Sequence, residues 1–224
     1  MARILAIDTT GEFGSIALHD AATGQMFEVA LHSPEGFGHI LFDNIGALLK
    51  RAGWNIGDVD CFASASGPGS FTGVRVCLTA AKGLAEATRR PVVAVSNLKA
   101  LALAGSGPLR ATVIDARRGE IYGAVYNAAL DEMSPERVTK FQAWLEDVPD
   151  GAEFIGVNIA PFVPALAASP RFRGAITLNA SASMAPLIAR IAHDEYIGGR
   201  ALDPAAADAS YVRRSDAELF WKEM

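Results

Sequence analysis

The sequence of 224 residues is poor in the side chains from which reactive centres and disulfide frameworks are made: it has two cysteines, Cys61 and Cys77, and four histidines, His19, His32, His39 and His193. Two cysteines, with no cationic and apolar leader before them, suggest neither a disulfide scaffold nor export, so a reducing cytoplasm is the expected compartment. The histidines stand singly, without a cysteine pair or a second histidine at ligand spacing, which leaves no sequence signature of a zinc site. Long apolar runs are missing too. None approaches the ~20 residues that cross a bilayer, and even Ala100-Leu101-Ala102-Leu103-Ala104 stops at Gly105-Ser106-Gly107-Pro108, so a membrane-spanning chain is excluded. Basic charge is in deficit, with 20 Lys and Arg against 25 Asp and Glu and a net charge of −5. Gripping nucleic acid alone needs clustered Lys and Arg, so any service to a nucleic acid requires a partner. What is present in quantity is apolar material, 50% of residues against 20% charged, enough to fill a core.

Periodicity divides the chain into short elements. Ile4-Leu5-Ala6-Ile7 and Gly14-Ser15-Ile16-Ala17-Leu18 read as two strands joined by a polar turn, with residues 26–31 as a third antiparallel strand. Between residues 38 and 51, Ile40, Leu41, Ile45, Leu48 and Leu49 recur at three- and four-residue intervals, the pattern of an amphipathic helix that Gly53 follows. A strand over 59–65 leads through Ser66-Gly67-Pro68-Gly69-Ser70-Phe71-Thr72-Gly73 into a helix over 72–89, and β-branched Val92-Val93-Ala94-Val95 reads as the next strand. A helix over 97–104 then runs into Gly105-Ser106-Gly107-Pro108, which we read as a boundary between a lobe of residues 1–106 and one of 107–224, the tail of the second packing back on the first. Just after the boundary the opening pattern returns, since Ile7-Asp8 falls on Ile114-Asp115 and Ala17-Leu18 on Ala124-Val125. Two lobes of related architecture are therefore expected. Farther on, the pattern gives short helices over 141–146 and 160–168, strands over 153–157 and 175–178, a helix over 183–192, and Tyr211-Val212-Arg213-Arg214 as a last strand or packed segment.

Three motifs bear on chemistry. Asp8-Thr9-Thr10-Gly11 offers a carboxylate and two hydroxyls at the end of a buried strand, groups that hold a metal–phosphate or, equally, close a turn by side-chain to backbone hydrogen bonds. Asp115, followed by Arg117-Arg118 rather than by hydroxyls, reads as structural. The segment Ser66 to Gly73 stands between strand and helix, where backbone N–H groups cradle anions, yet it lacks the Gly-Lys-Ser/Thr ending of a Walker loop and the dinucleotide spacing; a tight turn explains its glycines almost as well. Asp8, Thr10, Gly67 and Gly69 are accordingly weak candidates for binding a nucleotide. Ser64, Ser66 and Ser70 do not sit in a Gly-x-Ser-x-Gly elbow, and Cys61 and Cys77 read as small hydrophobes.

Taken together, Ile4 to Thr10 with Gly14 to Leu18, Ala65-Ser66-Gly67-Pro68-Gly69-Ser70-Phe71-Thr72-Gly73-Val74-Arg75, and Ile114-Asp115-Ala116-Arg117-Arg118-Gly119-Glu120-Ile121-Tyr122 resemble the bacterial TsaB family, formerly YeaZ. The resemblance covers nearly the whole chain and is weakest between Asn127 and Ala182. It implies an α/β fold of the actin-like ATPase type, the sugar kinase, heat-shock and actin superfamily, in two lobes. It also implies a part in placing threonylcarbamoyladenosine beside the tRNA anticodon, as partner of a catalytic relative, TsaD, with an ATPase, TsaE, joining the complex. The catalytic relative carries two histidines one helical turn apart; where they would stand, this sequence has Asn97 and Leu101, an amide and an isobutyl group that cannot share a metal.

The resemblance thus points to a non-catalytic scaffold for which no cofactor is expected, ATP and metal belonging to the partner subunits, and tRNA being met only through the complex. Family members are expected to pair through the helices over 38–51 and 72–89. Candidate contacts are His39, Phe42, Asp43, Ile45 and Gly46 on the first and Arg75, Val76, Thr79 and Lys82 on the second, the same surface serving for a homodimer in isolation. The alternative reading is an enzyme, a nucleotide-dependent phosphotransferase or a peptidase of the same broad superfamily.

Overall fold

The computed structural model describes residues 2–210, which cluster into two compact units, one of residues 2–97 with Ala182–Ser210 and one of Leu98–Ser181. In the first unit the chain opens as a meander, β1 (Arg3–Asp8), β2 (Phe13–Asp20) and β3 (Gln25–His32), all antiparallel neighbours, and continues through α1 (Leu41–Ala52), β4 (Cys61–Ala65), α2 (Phe71–Thr88) and β5 (Val92–Val95). β4 returns parallel to β1, with Ile7 opposite Ser64, and β5 lies parallel to β4, giving the sheet order β3-β2-β1-β4-β5. Ile4, Leu5, Ile7, Ile16, Leu18 and Phe62 are wholly buried in it. The helix ends follow the local chemistry. Gly53 closes α1 at φ 71°, a left-handed position that glycine takes without a Cβ penalty, and Ser70 caps α2 by accepting from the Gly73 amide at 3.3 Å.

The second unit begins within α3 (Asn97–Ala104) and repeats the plan with β6 (Leu109–Arg117), β7 (Glu120–Asn127), β8 (Glu132–Thr139), α4 (Phe141–Asp147), β9 (Glu153–Gly156), α5 (Val163–Ala168) and β10 (Thr177–Asn179). β6 is antiparallel to β7 and parallel to β9, and the order β10-β9-β6-β7-β8 is the first sheet over again, β6 to β10 standing for β1 to β5. The duplication expected from Ile7-Asp8 and Ile114-Asp115 is therefore a duplication of whole sheets. Its core is Trp144, Phe154, Phe172, Val125 and their neighbours, a cluster of tilted and edge-on aromatic rings.

Two features differ from the sequence-based expectation. β8 is absent from it because Glu132-Met133-Ser134-Pro135-Glu136 carries no apolar alternation; the segment pairs only as an edge strand, where a proline without an N–H is tolerated, and its register with β7 slips beside Ser134. The division at residues 106 and 107 also differs from the observed grouping. From Leu98, α3 packs through Leu98 and Ala102 on Ala124 and Tyr126, whereas α6 (Ala185–Ile197) buries Ala185, Ile188, Ala189, Ile191 and Ala192 and packs on β1, β2 and β4. Buried Ser15 of β2 accepts from the Ala185 amide at 2.9 Å and so satisfies one orphan donor at the start of α6. The chain beyond α6 stays on the first unit, where Leu202 bridges Val92 and the Ser210 amide donates to Ser66. Tyr211-Val212-Arg213-Arg214 lies outside the described residues.

Candidate functional site

The aspartate loop at the end of β1 is closed on itself. Asp8 is buried, and its Oδ1 accepts from both the amide of Thr10, at 2.9 Å, and the Thr10 hydroxyl, at 2.6 Å. The Thr10 hydroxyl in turn accepts from Asn97 Nδ2, which also donates to the Pro68 carbonyl at 3.1 Å. Removal from water pushes the Asp8 carboxyl above its ordinary value of 3.8, and the two bonds from Thr10 pull it partly back. The glycines are there because backbone meets backbone. Gly67 takes φ 94°; a Cβ at Gly69 would lie 2.8 Å from the Thr10 carbonyl oxygen; and one at Gly73 would lie 1.9 Å from the Thr9 carbonyl oxygen. The Thr9 hydroxyl donates to the Gly73 carbonyl at 2.6 Å and the Ser70 amide to the Thr10 carbonyl at 2.8 Å, which staples α2 to the loop.

The four weak nucleotide candidates Asp8, Thr10, Gly67 and Gly69 are thus brought together, and Asp8 and Thr10 engage each other and Asn97. A metal–phosphate at this loop would first have to break these bonds. Where the catalytic relative is expected to hold its metal, Asn97 Nδ2 is engaged by Thr10 and Pro68, and Leu101, wholly buried, offers no ligand atom. Among the described residues no group of three His, Cys, Asp or Glu side chains is placed to hold a metal ion. The thiol of Cys77, in the same region, donates to the Ala65 and Val74 carbonyls, and burial raises its pKa to about 12, which removes it as a nucleophile at neutral pH.

The helices expected to dock present a mixed face. On α1 and the turn before it, His39, Phe42, Asp43 and Gly46 are exposed, Phe42 at 56%. Ile45 is not part of that face. It is 3% exposed and belongs with Leu41, Leu48 and Leu49 to the inner stripe, because the same three- and four-residue spacing that makes the helix amphipathic carries Ile45 inward. On α2, Arg75 and Thr79 are exposed and Val76 is half-buried. Lys82 is also withdrawn from free solvent, because its ammonium donates to the Ala207 carbonyl at 2.7 Å and so ties the chain beyond α6 to the helix.

Phe71 and Gly83 complete the face without having been singled out in the sequence. Phe71, 42% exposed, carries the Arg75 guanidinium over its ring at 3.8 Å. Gly83, like the candidate Gly46, is exposed and leaves open space where a Cβ would be. The Phe71–Arg75 spacing of one helical turn was a usable signal for the first; nothing in the sequence distinguishes Gly83 from the packed Gly73.

Residues 36–208 match the family model described as TsaD: tRNA N6-adenosine threonylcarbamoyltransferase. Over 129 residues the chain is 37% identical to the tRNA threonylcarbamoyladenosine biosynthesis protein TsaB of Escherichia coli (strain K12), and over 148 residues 34% identical to that of Bacillus subtilis (strain 168). These matches take in 55% and 64% of this chain and span 54% and 64% of the two relatives' own length. A crystal structure from Pseudomonas aeruginosa, of an uncharacterized protein with similarity to peptidase YEAZ, superposes with a TM-score of 0.80 at 28% identity, over 95% of this chain and 100% of that one.

Proposed function

The chain belongs to the TsaD family and, within it, to the TsaB (YeaZ) branch, and from that premise we propose that it is a non-catalytic subunit in the biosynthesis of threonylcarbamoyladenosine on tRNA. In this reading it binds a TsaD-like catalytic protein through α1 and α2, holds that protein in its active form and helps to dock a TsaE-like ATPase. It meets tRNA only within the complex and needs no nucleotide or metal of its own. A net charge of −5 suits a subunit that leaves the phosphate-binding surface to its partner.

The observation that carries the reading is the Asp8–Thr10–Asn97 network. Where the catalytic relative is expected to hold its metal, this chain has an amide engaged with the aspartate loop and a buried leucine one turn later. The polar groups that a phosphotransferase would turn toward its nucleotide are used here to staple β1, α2 and α3 together. The peptidase reading fares no better on the chemistry. Ser64 and Ser66 are buried, and the Cys77 thiol is held protonated at neutral pH.

The test is co-purification of the chain with the TsaD-like protein of its own cell, together with the threonylcarbamoyladenosine content of tRNA after its deletion. A stable complex and loss of the modified nucleoside are expected. If no complex forms and modification survives deletion, the reading fails, and turnover of ATP by the purified chain alone would restore the phosphotransferase alternative.

A further inference from the structure

α6 is fastened to the first sheet on both sides of its length. At its start the Ala185 amide donates to Ser15 of β2, and past its end Leu202 bridges Val92 of β5. Between these anchors two imidazoles face each other across the junction of α6 and β2. The ring of His193 stands edge-on to that of His19, with 82° between their planes and 5.9 Å between centroids, and both residues are half-buried. Neither belongs to the aspartate loop or to the face of α1 and α2.

The groups that face His19 come from four elements. On α6, Arg190, one turn before His193, repels a charged His19, as a charged His193 does. On β2 the neighbouring Asp20 attracts it, but that carboxylate already accepts from Arg3 Nε at 3.4 Å and from the Ala22 amide at 2.9 Å. On β3 the Gln25 carbonyl accepts from His19 Nδ1 at 3.4 Å, a bond open to the neutral and the charged ring alike. Met26 of β3 stands opposite His19, and Glu28, two positions along on the same face, is exposed. On β1 the residue opposite is Ile4, wholly buried. His193 has Asp194 Oδ1 3.0 Å from its Nδ1, on a side chain that lies mostly in solvent, where water screens its charge. Lost hydration first, then His193 and Arg190, hold the His19 imidazole below its ordinary value of 6.5 against the pull of Gln25 and Asp20.

We propose that His19 and His193 form a proton-operated latch: as neutral rings they pack edge-on and hold the C-terminal half of α6 on β2, and as two imidazolium ions beside Arg190 they part and free the helix between its anchors. The stability linked to His19 is fully present above pH 6.5 and is lost as pH falls from there through the lowered value. Two unit charges about 6 Å apart, in a setting between bulk water and a protein surface, change such an equilibrium about 10-fold. Because Ser15 holds the start of α6 and Val92 the chain beyond it, acid loosens the cover of the first sheet and leaves the sheet itself folded. The latch assumes nothing about the partner that docks on α1 and α2.

The test is hydrogen exchange of the full chain, read at the amides of residues 193–198 at about pH 7.5 and about pH 5 and divided at each pH by the rate of the unfolded peptide. In the parent, exchange should be about 10-fold faster at the lower pH, while the amides of buried Ala124 and Val125 in the second sheet stay protected. Glutamine keeps a polar group at either position and takes up no proton, so in His19→Gln and in His193→Gln the two rates should agree within about 2-fold. Each variant is compared with itself, so any offset in stability from the substitution drops out. No acceleration in the parent, or an acceleration kept by either variant, overturns the latch. Equal acceleration at Ala124 and Val125 also overturns it, since acid is then unfolding the chain as a whole.

Discussion

Two glycines of α2 give the sharpest test of how the aspartate loop is built, because one substitution should act with opposite signs at them. A methyl group at Gly73 would sit 1.9 Å from the Thr9 carbonyl oxygen and 3.1 Å from the Thr10 α-carbon, and both are backbone, so no rotamer change relieves the clash. The first turn of α2 must move away from β1, and the 2.6 Å bond from the Thr9 hydroxyl to the Gly73 carbonyl is then lost. Overpacking of this kind costs about 1–3 kcal/mol, and the buried hydrogen bond adds about 1 kcal/mol. The better helix propensity of alanine returns up to about 1 kcal/mol, leaving Gly73→Ala about 1–4 kcal/mol less stable. Gly83, ten positions farther along the same helix, is exposed, and a methyl group there meets no atom within 4 Å. Gly83→Ala should therefore gain about 0.5–1 kcal/mol from the unfolded chain's lost freedom. Urea unfolding followed by circular dichroism measures both. With a slope of about 3 kcal/mol per molar, the midpoint should fall by about 0.3–1.3 M for Gly73→Ala and rise by about 0.2–0.3 M for Gly83→Ala. Equal midpoints for the two variants would refute the close approach of α2 to β1.

Burial raises the Asp8 carboxyl above its ordinary value of 3.8, so the stability it allows is fully present below pH 3.8 and is lost as pH rises through the raised value. Asp8→Asn keeps an oxygen for the Thr10 amide and escapes that loss. Its advantage over the parent, read from urea midpoints between about pH 3 and about pH 8, should grow with pH, and a pH-independent difference would contradict the buried carboxylate. Ile45→Ala should cost about 2–5 kcal/mol in unfolding free energy, while Phe42→Ala should cost under about 0.5 kcal/mol and instead weaken the complex with the TsaD-like protein about 10-fold by calorimetric titration. In the second unit Glu153 Oε2 accepts from the Ser106 and Gly107 amides, each at 2.8 Å. Glu153→Ala should cost about 1–3 kcal/mol and speed hydrogen exchange at those two amides, which protected amides in the variant would contradict.

The parts of the fold that repeat within the chain were legible in the sequence. Short apolar runs ending in Asp8 and Asp115, each followed by a polar turn and a second run, specify a strand, a turn and an antiparallel strand by local periodicity alone. The observed β1–β2 and β6–β7 pairs follow them closely. The edge strand β8 was not legible, because an edge needs no apolar face and Pro135 argues against a strand anywhere else in a sheet. α6 could be recognised as a helix, yet not as the cover of the first unit's sheet.

The candidate site divides in the same way. That Asn97 and Leu101 cannot share a metal is a property of the residue types, and composition alone makes the chain acidic and poor in histidine. Residue types also admitted two roles for Asp8 and Thr10, a phosphate anchor or a turn closure. Only the folded chain chose, by bringing Asn97 and Pro68 against Thr10 and setting Gly73 on Thr9. Helical spacing likewise placed Phe42 and Ile45 on one amphipathic helix, while burial against the sheet decided that Phe42 faces out and Ile45 in. Amphipathic spacing and side-chain chemistry are local, set by residues a few positions apart. Which carboxylate loses its water, which glycine meets backbone and which helix face is left for a partner are set by residues distant in the chain, and tertiary packing alone brings those together.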